Sequence, residues 1–169
     1  MPVVELKVLK AAIGPRRRLI GLDVGTRTIG IAVSDDGLAL ASPVETIRRG
    51  KFAADAARLA LVAAERGAAG IVVGLPVNMD GSEGPRCQSV RQFARNLLGQ
   101  LDLPLAFWDE RLSTAAVTRA LIEADVSRRR RSEVVDKMAA SYILQGALDF
   151  LDRWKANDED RGPSDPSQS

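Results

Sequence analysis

Apolar and polar positions follow their tightest pattern between Arg18 and Asp35, RLIGLDVGTRTIGIAVSD. Leu19, Ile20, Leu22 and Val24 predict a buried strand, Gly25-Thr26-Arg27-Thr28 a turn, and Ile29, Ile31 and Val33, interleaved with Gly30, Ala32 and Ser34, an antiparallel partner. A third strand is expected from Leu38 to Ile47, after a two-residue turn at Asp36-Gly37. Phe52 to Arg66 places Phe52, Ala56, Leu59, Ala60 and Ala63 at helical spacing and stops at Gly67, a natural C-terminal cap. Gly70 to Leu75, GIVVGL, is a continuous apolar run, the pattern of a strand covered on both faces and parallel to the first. An amphipathic helix from Arg86 to Gln100 follows Pro85, then a short strand from Leu105 to Trp108. Ser113 is placed to cap a helix whose inward stripe is Val117, Ala120, Leu121 and Ala124. Arg128 to Arg131 are expected in a loop, and a last helix runs from about Glu133 to Trp154. The whole predicts an α/β domain with a mixed five-stranded sheet, three antiparallel strands then two parallel, and about four helices packed on it.

The ends add little to this domain of residues 18–154. Met1 to Arg17 shows no sustained period and leads through Gly14-Pro15 into arginines, which predicts a flexible basic arm with no part in the fold. Residues 155–169, with Gly162, Pro163 and Pro166, are expected to form a disordered polar tail. With 169 residues, 46% hydrophobic and 27% charged, the chain suits one soluble globular core. No apolar run approaches a membrane span and no signal peptide is evident, so a cytoplasmic protein is expected. Cys87 is the single cysteine, expected to be inert, and histidine is absent. The usual general base and zinc ligand are therefore missing, and chemistry must run on carboxylates, hydroxyls, Lys and Arg.

Three carboxylates stand out on that basis. Asp23 interrupts a core strand, where a charge is costly unless paired or metal-bound, although an Asx-type contact with the turn is a competing explanation. Glu110 follows directly on the Leu105–Trp108 strand. At about 100° per residue, Asp136 shares roughly one third of the last helix's circumference with Ala139, Ala140, Ile143, Ala147, Phe150, Leu151 and Trp154. Every other member of that stripe is apolar, so the helix is expected to aim Asp136 at the sheet. Three convergent carboxylates suit Mg²⁺ or Mn²⁺, and two such ions about 4 Å apart stabilise both the attacking and leaving oxygens of a phosphodiester. The Pro76–Pro85 loop, at the carboxyl end of a parallel strand, is a candidate site wall contributing Asn78.

Four blocks in order, GLDVGTRTIGIAVSD, VVGLPVNMDGSEGPR, DERLST and VDKMAA, closely resemble the YqgF (RuvX) family over roughly Arg18 to Trp154. The resemblance implies an RNase H-like fold and a nuclease, described both as a Holliday junction resolvase and as a processor of the 5′ end of pre-16S ribosomal RNA. It also implies that Asp23, Glu110 and Asp136 match the acidic positions. GIVVGL carries no acid where the RuvC-type resolvases have one, which leaves the third ligand to Glu110 or Asp80.

The expected partner is nucleic acid, pre-16S rRNA or branched DNA, bound by a monomer or a homodimer with no membrane involved. Thr26, Arg27 and Thr28 are candidates for the scissile phosphate, and Arg111 for orienting Glu110 or the substrate. Arg86 and Arg128, Arg129, Arg130 and Arg131 are candidates for tracking the phosphate backbone. Rival readings are an actin-like kinase, for which the chain is too short, and a ribosomal-precursor binding module without catalysis.

Overall fold

The computed structural model describes residues 3–15, 17–112 and 128–160, and in the last segment the side chains of 137–154. Its elements in chain order are α1 (Leu6–Ile13), β1 (Arg18–Val24), β2 (Thr28–Ser34), β3 (Ala41–Arg48), α2 (Phe52–Arg66), β4 (Ala68–Leu75), α3 (Pro85–Leu98), β5 (Leu105–Asp109), a 3₁₀ turn at Glu110–Leu112, and α4 (Arg128–Asp160). The five strands form one sheet in the order β3-β2-β1-β4-β5. β1, β2 and β3 pair antiparallel, and β4 and β5 add to β1 in parallel, as the hydrophobic pattern predicts. Ser113 and the helix expected around Val117–Ala124 lie outside the described residues.

Alternation along the strands divides the core in two. Ile20, Leu22, Val24, Ile71, Val73 and Leu75 pack with α2 and α3 on one face. Leu19, Ala32, Val72, Ala106 and Trp108 pack with α1 and α4 on the other. Small residues on the second face let α4 sit close: a Cβ on Gly21 would lie 2.7 Å from Leu144 Cβ and 3.1 Å from the Ala140 carbonyl oxygen. Gly67 ends α2 in the left-handed conformation at φ 65°, its amide reaching Ala63 and Ala64 carbonyls. A side chain there would be strained.

Five expectations are corrected. The segment read as an arm without a fold role carries α1, whose Leu6, Leu9 and Ile13 are buried, and Val4 N–H donates to the Leu105 carbonyl at 2.9 Å. Removing a buried leucine such as Leu9 typically costs 2–5 kcal/mol. Arg128 to Arg131 open α4 instead of forming a loop, and the helix continues beyond Trp154 to Asp160. Arginine and lysine are good helix formers, and neither Gly nor Pro interrupts the run between Trp154 and Asp160. The buried stripe of α4 includes Leu144 and Leu148, while Phe150 is 36% exposed. Finally, β3 begins at Ala41, not Leu38, because the Asp35 carboxylate accepts from the Ala39 and Leu40 amides at 2.8 and 3.1 Å and holds a longer loop.

Candidate active site

Asp23 is buried near the carboxyl end of β1, opposite Gly30 of β2. Residues two apart in a strand share a face, so Asp23 continues the series Leu19, Gly21 toward the α4 side. The parallel register with β4 reaches Leu22 opposite Val73, and one residue further on each strand come Asp23 and Gly74. Glu110 continues the series Ala106, Trp108 onto the same face, just past the end of β5. Its carboxylate leans back over the sheet: a Cβ on Gly74 would lie 2.8 Å from Glu110 Oε1 and 2.5 Å from Ile143 Cδ1. Asp23 and Glu110 are thus buried carboxylates on one face, at one edge, on either side of a glycine whose missing side chain leaves the space that Glu110 fills.

Asp136 belongs to α4, one turn before Ala140, whose carbonyl lies against Gly21. Its side chain lies outside those described, as do those of Arg128 to Arg131. Among the described residues no three potential ligands form a metal-binding group. A carboxylate pair in this setting nonetheless has the chemistry that hard divalent cations take, oxygen donors presented from a rigid sheet edge.

Around this edge lie three connections. Gly25 N–H donates to the Thr28 carbonyl at 2.9 Å, closing a turn on which Thr26 and Arg27 are exposed. The loop after β4 is held by its own side chains: Asp80 Oδ1 accepts from the Ser82 amide at 2.9 Å and its hydroxyl at 2.6 Å, and Asn78 Nδ2 donates to Ser82 Oγ at 3.0 Å. The Ser82 hydroxyl and amide pull the exposed Asp80 carboxyl below its ordinary range. Arg111 grips Asp109, with Nη2 to Oδ2 at 2.7 Å and Nε to Oδ1 at 3.1 Å. The Arg111 guanidinium holds the Asp109 carboxyl below the usual carboxylate range. Arg86 is exposed in the first turn of α3. Cys87 is fully buried, and burial pushes its thiol up, in line with an inert role.

The corner between β3 and α2 was not singled out from the sequence. Arg49 Nη1 donates to the Gly25 carbonyl at 2.7 Å, its amide donates to the Arg27 carbonyl at 2.8 Å, and its guanidinium lies 5.1 Å from the Phe93 ring centroid. Gly50 N–H meets both oxygens of buried Asp55 at 3.2 Å. One signal was present: Asp55 lies three residues after Phe52 and four before Leu59, a carboxylate on an apolar helical stripe.

A family model described as RuvX, Holliday junction resolvase, matches residues 17–150. A protein of Rhodospirillum rubrum named "Putative pre-16S rRNA nuclease" is 61% identical over 154 residues, covering 90% of this chain and 96% of that one. A protein of Cereibacter sphaeroides with the same name is 64% identical over 142 residues, covering 84% and 89%. Among solved structures, Thermus thermophilus RuvC matches with a TM-score of 0.51 at 14% identity, covering 82% of this chain and 96% of that one. RuvC of the same organism in complex with a Holliday junction substrate gives a TM-score of 0.51 at 13% identity, covering 78% and 93%. The likeness to RuvC is one of fold, and the fold is RNase H-like.

Proposed function

The chain belongs to the RuvX family, and from that premise we propose that it is a metal-dependent nuclease that hydrolyses phosphodiester bonds at the 5′ end of pre-16S rRNA. The observation that carries the proposal is the pairing of buried Asp23 and Glu110 on one face and one edge of the sheet, across Gly74. The name shared by close relatives supports the ribosomal substrate. The description of the family model supports a second reading, a resolvase acting on branched DNA.

In this reading Asp23, Glu110 and Asp136 would hold two Mg²⁺ or Mn²⁺ ions. When bound, such ions draw charge from the scissile phosphate and favour the attack of water and the departure of the leaving oxygen. The protein's own part is positional. Asp23 is fixed by a strand paired on both sides, and Glu110 by the space over Gly74 and the 3₁₀ turn that Asp109 and Arg111 tie down. Asp136 enters from α4, one turn beyond the contact of Ala140 with Gly21. Thr26, Arg27 and Thr28 take the phosphate beside the cut, and Asn78, Arg86 and Arg128 to Arg131 follow the strand away from it.

The test is cleavage of a pre-rRNA fragment, single-stranded RNA and a four-way junction side by side in Mg²⁺ and Mn²⁺, with Asp23→Asn as the comparison. Asp23→Asn is expected to abolish cleavage while its melting temperature without metal stays at or above the parent's, since one repulsive charge is gone. Undiminished cleavage by Asp23→Asn removes this residue from the site. Cleavage of the junction alone selects the second reading.

A further inference from the structure

Nucleic-acid contacts have so far been assigned to the β1–β2 turn, the loop after β4, and α3 and α4. The opposite flank of Asp23 carries its own set of cations. Across three strands Asp23 faces Gly30 and Gly30 faces Thr46, and one step nearer the edge Thr28 faces Arg48. Alternation therefore puts Thr28, Thr46 and Arg48 on the same face of the sheet as Asp23. Arg48 is exposed at the end of β3, Lys51 is exposed just before α2, and exposed Arg27 sits on the adjoining turn.

Between Arg48 and Lys51 the chain is held by the contacts of Arg49 and Gly50. Arg49 turns inward, donating to Gly25 and stacking on Phe93. Gly50 is gripped by Asp55. Arg48 and Lys51, both exposed, stand at the two ends of the corner that the inward Arg49 and the fixed Gly50 hold. That corner is bonded to the turn that follows Asp23.

We propose that the corner Arg48–Lys51 is a second phosphate-binding element, in which Arg48 and Lys51 take the backbone of a nucleic-acid strand on the β3 side of Asp23, Arg27 links it to the reactive edge, and Arg49 serves as the internal strut. This rests on the nuclease reading above and extends its binding surface to the flank away from β5. A strand crossing the edge then meets cations on both sides of the buried carboxylates, so the bond to be cut is held from either end.

The experiment measures binding of a pre-rRNA fragment and a four-way junction to the full chain as a function of salt. It compares the parent, Arg48→Gln with Lys51→Gln, and Lys7→Gln with Lys10→Gln. The second double variant makes the same change in charge on α1, at the opposite edge of the sheet. Each phosphate contact contributes about 0.7–0.9 to the slope of log affinity against log salt, so losing two lowers it by roughly 1.4–1.8. The corner variant is expected to show that drop, and the α1 variant to keep the parental slope. Arg49→Met is expected to weaken binding as well, with Arg49→Lys restoring part of it by reaching Gly25 again. Equal slopes for the parent and the corner variant overturn the inference while leaving the nuclease reading intact. A parent that binds neither nucleic acid overturns both.

Discussion

Gly74→Ala is the perturbation that bears most directly on how the site is built. The added methyl would lie 2.5 Å from Ile143 Cδ1 and 2.8 Å from Glu110 Oε1. Ordinary contact begins at 3.4 Å, so the Glu110 oxygen must retreat by 3.4 − 2.8 = 0.6 Å. Overpacking of this kind costs roughly 1–3 kcal/mol. At roughly 2–4 °C per kcal/mol for a chain of this size, the melting temperature falls by roughly 2–12 °C. The effect on catalysis should be larger than stability alone implies, because productive sites tolerate only about 0.5 Å of displacement and an ångström costs on the order of a hundredfold. A tenfold to hundredfold loss of cleavage is expected, measured well below the melting temperature. Gly70→Ala on the same strand is the control: its methyl would meet the side-chain ends of Leu19, Leu9 and Ile13 at 2.8, 2.9 and 3.2 Å. It should lower stability and leave cleavage unchanged. Parental cleavage by folded Gly74→Ala would refute the idea that Glu110 must rest against this glycine.

Further outcomes are open to simple measurements. Leu9→Ala should destabilise the fold by about 2–5 kcal/mol in denaturant unfolding, and a change under 0.5 kcal/mol would mean that α1 is dispensable. Asp109→Asn should lower the melting temperature by a few degrees at neutral pH. The Asp109 carboxyl is depressed in the folded state, so its contribution is present above the unfolded value near 3.9 and is lost as pH falls through the folded one; the difference between the two proteins should therefore vanish in acid melts. Replacing Arg128 to Arg131 with Gln, which keeps helix propensity, should weaken nucleic-acid binding and flatten its salt dependence, and an unchanged slope would make the run a solvated face.

The hairpin of β1 and β2, the extent of α2 and the parallel placement of β4 were legible because each follows from local periodicity and a capping glycine. So was the prominence of Asp23, a charge in an apolar strand. α1 was harder: Leu6, Leu9 and Ile13 have helical spacing, but eight residues ahead of Gly-Pro are too few to form a stable helix alone. Its stability comes from the groove over Gly70, which only the assembled sheet provides. The same holds for Leu144 and Leu148, buried where α4 packs on the sheet, Leu144 directly over Gly21. The strut from Arg49 to Gly25 joins residues 24 positions apart and has no periodic signature. Glu110 was recognisable as a candidate, but its resting place over Gly74 depends on the register of two parallel strands.

The two outer strands of the sheet bear on how copies of the chain can associate. Beside β5, Val3 forms a parallel bridge to Leu105, so part of that border is already occupied. At the other border β3 has Pro43, which offers no amide hydrogen, next to a register irregularity, and Glu45 engaged with Arg58. Proline, bulges and charges on an outer strand oppose its extension by another molecule. Joining two copies into one continuous sheet is therefore disfavoured along β3 and at the Leu105 end of β5. A twofold pair that met through helices or loops would leave each copy's row of Asp23, Gly74 and Glu110 to be oriented by that contact instead of by strand pairing.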